Sequence, residues 1–420
     1  QTLKILLTVG PRLFWGGQSL ARLSAKVPAE KGYQTAVTDP DETAAILFTS
    51  GSTGVPKGVV YTHGNFISQV DQLQKTYDIQ PGEIDLPTFP LFALFAPALG
   101  MSSVIPIMDF TRPGSVEPKN IIEPIKQFNI TTMFGSPALI NRVGRFGEAN
   151  GVKLPSLKRA ISAGAPVPAL VLERFTKMMV DGVEVYTPYG ATESLPVCSI
   201  GSAEILAETQ YATEKGQGVC VGKPVPAIEL EIIKVSDQPI DWWSDDLKVP
   251  EGEIGEIVVK GPQVTRRYYN RKASTDLAKI LDPPSGSFYH RMGDLGYRDD
   301  QGRVWFCGRK THRVVCAEKT FYTIPCEAIF NKHPKVFRSA LVGVGEPGKQ
   351  QPVICIELEQ GIDKSQHPQI LRELKLIGQS NELTVTIKHI LFHSAFPVDI
   401  RHNAKIFREK LALWAAGQLR

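Results

Sequence analysis

The chain has 420 residues, of which 42% are hydrophobic and 21% are charged, and its net charge at pH 7 is +4. These values describe an ordinary globular protein that can bury one large core or several smaller ones. So small a net charge gives no reason to expect a nucleic-acid partner.

The first distinctive stretch covers residues 44–66. Ala44–Phe48 is an apolar run that predicts a buried strand, and Val59–Tyr61 predicts a second strand. Between them lies a loop of small hydroxylated and glycine residues, namely Thr49, Ser50, Gly51, Ser52, Thr53 and Gly54. Glycines let backbone N–H groups approach oxygen atoms, and the following Lys57 supplies a mobile positive charge. The loop therefore predicts a polyphosphate site. It is not a Walker A loop, because Pro56 precedes the lysine and a strand follows.

The next segments alternate between helix and strand. The spacing of four apolar residues predicts a helix over residues 65–78, and further patterns predict a helix near 121–128 and another over 135–146. Strands are predicted at residues 131–134 and 158–162. This alternation is typical of an α/β protein.

Residues 86–108 carry no charge over 23 positions, which by length alone could span a bilayer. Four prolines and Gly100 interrupt the run. We therefore expect a buried strand, a loop and a helix that leave room for a hydrophobic pocket, and no transmembrane segment.

Six cysteines occur without a C-x-x-C pair or a cluster with histidines. They predict neither a zinc site nor a disulfide framework, and they fit a reducing, cytoplasmic location.

Two further stretches combine a strand with polar residues. In Glu184–Glu193 a tyrosine ring, Tyr189, can stack on a purine, and the Glu193 carboxylate can hold Mg²⁺ beside phosphate oxygens. In His290–Gly296 the Asp294 carboxylate can accept two hydrogen bonds from vicinal ribose hydroxyls, although an isolated aspartate of this kind is usually a turn residue.

These motifs resemble, in the same order, those of the adenylate-forming superfamily of acyl-CoA synthetases, peptide-synthetase adenylation domains and luciferases. Thr49–Gly58 matches that family's TSGSTGxPKG loop without a break, and Tyr189–Glu193 matches its YGxTE motif. The resemblance covers nearly the whole chain. It implies that a turn at Ala163, Gly164 and Ala165 lies against adenine, that Gly190 and Thr192 belong to the nucleotide site, and that Arg309 reaches the ribose and α-phosphate.

The resemblance also implies a domain organisation. Residues 1–308 would form a large ATP- and acyl-binding domain with a β-barrel-like subdomain near 252–270, residues 309–312 a hinge, and residues 313–420 a small mobile α+β domain. We expect further natural sequence ahead of Gln1. Residues 308–420 hold 17 Lys and Arg against 10 Asp and Glu, whereas the rest hold 30 against 33. A basic small domain would suit an anionic nucleotide, and a merely solvated basic face is an equally good interpretation.

The catalytic residues implied by the resemblance are Lys405, Thr192, Glu193 and Lys57. Lys405 matches the lysine of the family's last motif, where it would stabilise the transition state between the carboxylate and the α-phosphate. ATP and Mg²⁺ are the implied cofactors, with Glu193 as the metal ligand.

Several departures from the family pattern narrow the activity. Cys316, Ala317 and Glu318 stand where CoA ligases have paired glycines that let the pantetheine thiol pass, and Ala93 replaces a frequent histidine. Together with the closing motif, these residues look most like the β-lactone-forming branch of bacterial long-chain olefin biosynthesis. That resemblance implies that a 2-alkyl-3-hydroxy fatty acid is activated as acyl-AMP and then cyclised by its own hydroxyl, with AMP and pyrophosphate released. Other enzymes of the olefin pathway are candidate partners, and His402 is a candidate base for the hydroxyl.

Three alternatives remain open from the sequence. A long-chain acyl-CoA ligase would consume CoA, and a nucleotide-binding regulatory protein would not need Lys405. An interaction module would explain none of the polar motifs.

Overall fold

The structure is a computed structural model that describes residues 5–11, 14, 16–27, 32, 34–49, 55–398 and 405–419. The chain divides into two compact units, residues 1–39 and residues 40–420. The first unit contains a short parallel strand pair, β1 (Leu7–Thr8) and β2 (Gln18–Ser19), followed by helix α1 (Leu20–Ser24).

The second unit begins with an antiparallel hairpin of β3 (Thr43–Phe48) and β4 (Gly58–Thr62). Both strands lie where the sequence predicts them, but the prediction that the first is buried is wrong. Its residues alternate in exposure, and Phe48 is 68% exposed. The reason is that only one face of β3 packs, through Ala45 and Leu47, whereas the first four residues of β4 are buried. A capping box at Thr62 then starts helix α2 (His63–Tyr77), close to the predicted bounds.

A sheet of 12 strands forms the centre of the second unit. Its first half is parallel, in the order β9-β8-β7-β5-β6. The strands of this half are β5 (Ile84–Pro87), β6 (Ser102–Ser103), β7 (Thr132–Phe134), β8 (Arg159–Ile161) and β9 (Glu184–Ala191). The helices between them are α3 (Phe95–Ala98), α4 (Lys119–Gln127), α5 (Pro137–Asn150) and α6 (Ala169–Thr176). The main hydrophobic core fills the space between these helices and the strands, and it includes Ile121, Leu139 and Phe175.

The second half of the sheet is antiparallel. Of the stretch predicted to be β-barrel-like, residues 252–270, the strand Gly255–Lys260 belongs to it. This half has the order β12-β13-β15-β16-β11-β10, with β14 beside β15, and β10 joins it to β9. Its strands are β10 (Ser194–Gly201), β11 (Val219–Pro224), β12 (Glu229–Ile233), β13 (Gly255–Lys260), β14 (Lys279–Asp282), β15 (Ser287–Arg298) and β16 (Val304–Arg309). Three short helices accompany them, α7 (Ser202–Glu204), α8 (Gln210–Glu214) and α9 (Lys272–Ala278). The predicted fold class, α/β with layered sheets and helices, is confirmed.

A smaller C-terminal domain follows and is of the predicted α+β type. A hairpin of β17 (Val314–Val315) and β18 (Thr320–Phe321) precedes a three-stranded sheet of β19 (Val336–Val344), β20 (Gln351–Leu358) and β21 (His389–Phe392). Its helices are α10 (Thr323–Asn331), α11 (His367–Gln379) and α12 (Arg408–Gln418). The buried Glu327 carboxylate on α10 accepts hydrogen bonds from Arg408 at the start of α12, at 2.6 and 3.0 Å. The exact domain boundary and the hinge at residues 309–312 stay predictions, because residues 40–420 form one compact unit.

Within the described ranges, no helix combines the length and the apolar character that crossing a membrane requires. The uncharged run of residues 86–108 instead forms the end of β5, a 3-10 turn at Pro90–Leu94, helix α3 and strand β6. The predicted strand, loop and helix are therefore confirmed.

Candidate functional site

The polar motifs meet where the sheet changes from parallel to antiparallel, between β9 and β10. Ligand sites of open α/β sheets commonly lie at the carboxyl ends of the parallel strands, and the polar motifs lie at this end of β9. Tyr189 and Gly190 end β9, and Glu193 lies in the short connection to β10. Gly190 has no room for a side chain, because an added Cβ would lie 2.6 Å from the Ser194 carbonyl oxygen. This tight connection fixes the directions of the residues around it.

Asp294 is the centre of a buried hydrogen-bonded cluster. The Tyr189 hydroxyl donates to its Oδ2 at 2.6 Å, and Arg309 Nη1 donates to its Oδ1 at 2.7 Å. Asp294 and Arg309 face each other across β15 and β16. Burial and the carboxylate raise the pKa of Tyr189 well above its usual value, so this hydroxyl stays a donor. The structure thus brings Asp294 together with Tyr189, 105 positions away in sequence, and with Arg309, 15 positions away. Their predicted contacts with a nucleotide stay predictions.

Asp294 is not the turn residue that an isolated aspartate would suggest. It lies inside the 12-residue strand β15 and is only 4% exposed. A carboxylate in that position costs free energy unless it is paired, and here Arg309 supplies the counter-charge. The Arg309 side chain itself is 36% exposed, so the cluster is open to a ligand from the arginine side.

Glu193 forms a second polar group beside this cluster. The Tyr268 hydroxyl donates to its Oε1 at 2.6 Å, and the Lys57 ammonium lies 4.7 Å from the centre of the Tyr268 ring. Burial and the Glu193 charge raise the pKa of Tyr268, so the hydroxyl remains protonated and orients the carboxylate. The neighbouring Thr192 carbonyl accepts a hydrogen bond from Tyr61 at 2.5 Å. Tyr268 was not among the predicted site residues, although it lies in the Tyr268-Tyr269-Asn270 stretch of the segment predicted to be β-barrel-like.

Two hydrogen bonds between Thr49 and Lys57 hold the two ends of the predicted phosphate loop together. The Thr49 amide donates to the Lys57 carbonyl at 3.0 Å, and the Lys57 amide donates to the Thr49 hydroxyl at 3.1 Å. The predicted loop residues Ser50, Gly51, Ser52, Thr53 and Gly54 lie outside the described residues. The structure therefore places the two ends of the loop, and it places Lys57 next to the Glu193 group through Tyr268.

The predicted adenine turn follows β8 directly. The Ser162 amide donates to the Tyr186 carbonyl at 2.9 Å, which holds the turn against β9. Gly164 adopts φ +99°, a backbone conformation that favours glycine. Ala163 and Ala165 flank it, and Ala163 lines an apolar cavity. The turn therefore lies at the end of β8, next to β9, and its contact with adenine stays a prediction.

This cavity, called here the acyl cavity, has a volume of about 110 Å³ and lies between helix α2 and the parallel half of the sheet. Most of its wall is apolar and includes Phe92, Phe95, Leu99 and Met101 from the predicted pocket segment. The other lining residues include Gln69, Asp85, Thr132, Ala163, Pro188 and Leu195. The hydrophobic pocket predicted for residues 86–108 is confirmed. Two polar residues in its wall, Gln69 and Asp85, were not predicted from the sequence. For Gln69 a signal existed, because Asn65, Gln69 and Gln72 follow each other at helical spacing.

The C-terminal domain approaches the site through the segment around Arg309. His312 Nε2 lies 3.4 Å from Glu409 Oε1 on α12. Burial and the charges of Arg408 and Arg309 lower the pKa of His312 to about 3, so this contact is not an ion pair. Lys405 precedes Ile406, which pairs with Val398. Its approach to the nucleotide stays a prediction, and the candidate base His402 lies outside the described residues.

The fold and the clustered Tyr189, Asp294, Arg309 and Glu193 define a nucleotide-binding enzyme of the adenylate-forming class. The chain belongs to the family of AMP-binding enzymes, because residues 11–269 match the model of that family. The resemblance stated from the motifs is thereby confirmed.

Two bacterial relatives match almost the whole chain. An olefin β-lactone synthetase of Xanthomonas campestris pv. campestris is 50% identical over 416 residues, which cover 98% of this chain and 74% of the relative. An olefin β-lactone synthetase of Stenotrophomonas maltophilia is 48% identical over 417 residues, with 99% and 74% covered. A long-chain-fatty-acid–CoA ligase of Escherichia coli O6:H1 is more distant, at 27% identity over 77% of this chain and 54% of the ligase.

Solved structures share the fold. The amide bond synthetase McbA of Marinactinospora thermotolerans aligns with a TM-score of 0.75 and 20% identity over 99% of this chain and 76% of that protein. O-succinylbenzoate CoA synthetase of Bacillus subtilis, in complex with ATP and magnesium, aligns with a TM-score of 0.71 and 21% identity, with 94% and 75% covered. At these identities the likeness extends to the fold alone.

Proposed function

We propose that the protein is a β-lactone synthetase. It activates a long-chain 2-alkyl-3-hydroxy fatty acid with ATP as acyl-AMP and then closes the acyl group on its own hydroxyl, releasing AMP and pyrophosphate. The observation that carries this proposal is the 50% identity to an olefin β-lactone synthetase over 98% of the chain. The acyl cavity beside the nucleotide cluster supports it, because both substrates would meet at the end of β9.

The first step needs the carboxylate to attack the α-phosphorus, so positioning and neutralisation of charge are the main tasks of the protein. In this proposal Asp294 accepts hydrogen bonds from the ribose, and the exposed edge of Arg309 reaches the ribose and α-phosphate. The turn at residues 163–165, Gly190 and Thr192 would border the base and the acyl group. The loop at residues 49–54 and Lys57 would hold the outer phosphates, and Lys405 would stabilise the transition state.

Glu193 fits the requirements of a Mg²⁺ ligand. Mg²⁺ in nucleotide enzymes is usually bound by one or two carboxylates together with phosphate oxygens and water. In the part of the chain that the structure describes, no three His, Cys, Asp or Glu side chains lie together in a way that could hold a metal. Our proposal therefore uses the Glu193 carboxylate together with phosphate oxygens and water. Tyr268 orients it at 2.6 Å. When bound, the ion would neutralise phosphate charge.

The second step is intramolecular in this proposal. The acyl-adenylate carbonyl carbon is electrophilic, the hydroxyl oxygen forms the new C–O bond, and AMP leaves with the electrons of the bond that breaks. The hydroxyl is already tethered, which avoids the entropic cost of recruiting a second substrate. The base that takes its proton is not assigned, and His402 remains the only candidate named from the sequence. Water must be excluded, because hydrolysis competes.

The turn that CoA ligases keep open carries side chains here. Residues 316–319 connect β17 to β18, and the Cys316 amide donates to the Lys319 carbonyl at 3.0 Å. Lys319 Nζ donates to the Glu382 carbonyl at 3.2 Å. These contacts support the absence of a thiol entrance in the proposal. A long-chain acyl-CoA ligase is the alternative function. The 27% identity to such a ligase is the reason to include CoA in the experiment below.

The proposal also includes a cytoplasmic location and an association with other enzymes of the olefin pathway. The location rests on the six free cysteines, five of which are buried. The association rests on the resemblance alone.

Mass analysis of products from ATP, Mg²⁺ and a long-chain 2-alkyl-3-hydroxy acid, with and without CoA, tests the function. We expect AMP, pyrophosphate and a product lighter than the acid by one water, unaffected by CoA. With the matching acid that lacks the hydroxyl, the reaction should stop at the adenylate, or the adenylate should hydrolyse slowly. A thioester whose formation accelerates AMP release would instead identify an acyl-CoA ligase.

A further inference from the structure

The wall of the acyl cavity contains polar groups that a plain alkyl chain would not require. Tyr77, Thr132, Gln69 and Asp85 all line it. The first two are satisfied within the protein. The Tyr77 hydroxyl lies 3.2 Å from that of Ser199, and the Thr132 hydroxyl contacts Glu83 at 3.2 Å and Arg159 at 2.7 Å. Gln69 and Asp85 differ from them.

Asp85 lies in β5 and Glu83 immediately precedes that strand, but the two carboxylates have different surroundings. Burial alone would raise the pKa of Glu83, but hydrogen bonds and charge from Arg159 lower it to about 2. Arg159 donates to both Glu83 oxygens, to Thr132 and to the Asp78 carbonyl. Its charge is therefore balanced by Glu83 rather than by Asp85.

The Asp85 carboxyl is correspondingly perturbed. The residue is 9% exposed, and burial raises its pKa from 3.8 to about 7 against a backbone hydrogen bond from Leu86. A buried carboxyl without a counter-ion costs free energy that a leucine at the same position would not. A ligand hydroxyl can offset that cost, because it can donate to the carboxylate or accept from the acid.

Gln69 presents a second acceptor. Its Nε2 donates to the Leu195 carbonyl at 3.0 Å, and since a carbonyl can only accept, this contact fixes which end of the amide is oxygen. The Oε1 atom is then buried without a hydrogen-bond partner among the described residues, in a side chain that is 4% exposed. Such an atom loses its hydrogen bond to water when the protein folds, and a ligand that donates a hydrogen bond can replace it. The Leu195 contact therefore satisfies the hydrogen bonding of the Gln69 nitrogen but not that of its oxygen.

We infer that Gln69 and Asp85 together bind the hydroxyl of the acyl substrate inside the acyl cavity, and so select a hydroxylated long-chain acid over its deoxy analogue. The inference rests on the proposed function and deepens it by naming the residues that recognise the hydroxyl. A site that hydrogen-bonds a hydroxyl rejects the analogue without it, because its own polar groups are then left unpaired.

The test compares kcat/KM for pyrophosphate release with a 3-hydroxy acid and with the same acid lacking the hydroxyl. The wild-type ratio should exceed one clearly, and Gln69→Met and Asp85→Leu should each lower it about tenfold or more, the loss expected for one hydrogen bond to a polar group. Asp85→Asn keeps the shape and a hydrogen-bonding group, so it should retain most of the ratio. Gln72→Met is the matched control, since Gln72 is buried on the same helix and hydrogen-bonds outside the cavity, to Ala227.

Binding of the two acids without ATP, measured by calorimetry, separates this inference from the proposed function. If the wild type releases pyrophosphate with neither acid but binds the hydroxy acid more tightly, the proposed activity fails and the hydroxyl site stands. If Gln69→Met and Asp85→Leu are folded by circular dichroism and keep the wild-type ratio, the inference is overturned. If Asp85→Leu does not fold, Asp85→Val gives the same comparison, because it also removes the carboxyl and its smaller β-branched side chain suits a strand.

Discussion

Asp294 shows how one carboxylate can organise a ligand site before the ligand arrives. Both oxygens already accept hydrogen bonds, from Tyr189 and from Arg309, so the side chain has a fixed rotamer in a strand interior. A ribose would bind to a group whose orientation is already determined, which lowers the cost of ordering it.

Lys405→Ala should slow adenylation by about two to three orders of magnitude, the range expected when one preorganised group that stabilises transition-state charge is lost. AMP binding should remain, because Asp294 and Tyr189 are untouched. ATP–pyrophosphate exchange with the fatty acid measures the rate of adenylation, and calorimetry measures the binding of AMP. Lys410→Ala, an exposed lysine on α12, is the control. Near-normal exchange in the Lys405 variant would remove this lysine from the mechanism.

Asp85→Asn should change how stability depends on pH. Because the pKa of Asp85 is raised from 3.8 to about 7, the folded protein binds more protons than the unfolded chain between these values. Its free energy of unfolding therefore falls as pH rises through that window, by up to about 1.4 kcal/mol per pH unit from this residue. Asn cannot titrate, so the variant should gain stability relative to the wild type from pH 4 to pH 7.

Urea unfolding at pH 5 and pH 8 measures this difference. The neighbouring Glu83 keeps its charge over this range, since its pKa is lowered to about 2. A stability difference between variant and wild type that is the same at both pH values would show that Asp85 titrates normally.

At the scale of elements, local sequence patterns predicted most of the parallel half and much less of the packing. Helix α2 and strands β7 and β8 follow from apolar spacing over a few residues, which is a local property. The exposed face of β3 could not be predicted, because it depends on which elements cover the hairpin. The Tyr268–Glu193 contact joins residues 75 positions apart. Among the described residues Asp85 has no ion-pair partner, because the nearby Arg159 binds Glu83 instead. Family motifs, rather than patterning, indicated the residues that we predict to bind the nucleotide.

Helix α12 should depend on the buried ion pair between Glu327 and Arg408. Glu327→Met should destabilise the protein by about 3 kcal/mol, because it leaves a mostly buried guanidinium without its counter-charge. The Glu327→Met/Arg408→Met double variant should recover much of that loss, since neither charge remains. Urea unfolding followed by circular dichroism compares the three proteins. A double variant as unstable as the single one would mean that packing, not charge, is responsible.

For the molecule as a whole, the segment around residues 310–313 should act as the hinge of the C-terminal domain. Lys310 Nζ donates to the Ser236 carbonyl at 2.8 Å, and Arg313 Nη2 lies 2.5 Å from Asp237 Oδ2, whereas Thr311 between them is exposed. Reorientation of the domain would break these two contacts. Limited proteolysis with subtilisin should therefore cut near this segment, and ATP should change the rate.

Asp237→Ala removes one of the two contacts and should increase the cutting rate several-fold without ATP. Asp245→Ala, which lies outside the segment's contacts, serves as the comparison. If neither the wild type nor the Asp237 variant is cut near residues 310–313, with or without ATP, the hinge prediction is wrong.

The 12-stranded sheet carries the acyl cavity on its parallel half and the Asp294–Arg309 pair on its antiparallel half. Strand pairing continues from one half to the other through β9 and β10, so the backbone fixes the distance between the cavity and the Asp294–Arg309 pair. If the proposed function holds, each carbon of the bound acid would lie at a set distance from the nucleotide, and a hydroxyl one carbon further along the chain would not reach the same polar groups. Discrimination among isomeric hydroxy acids would then follow from a distance that is fixed by hydrogen bonds between strands.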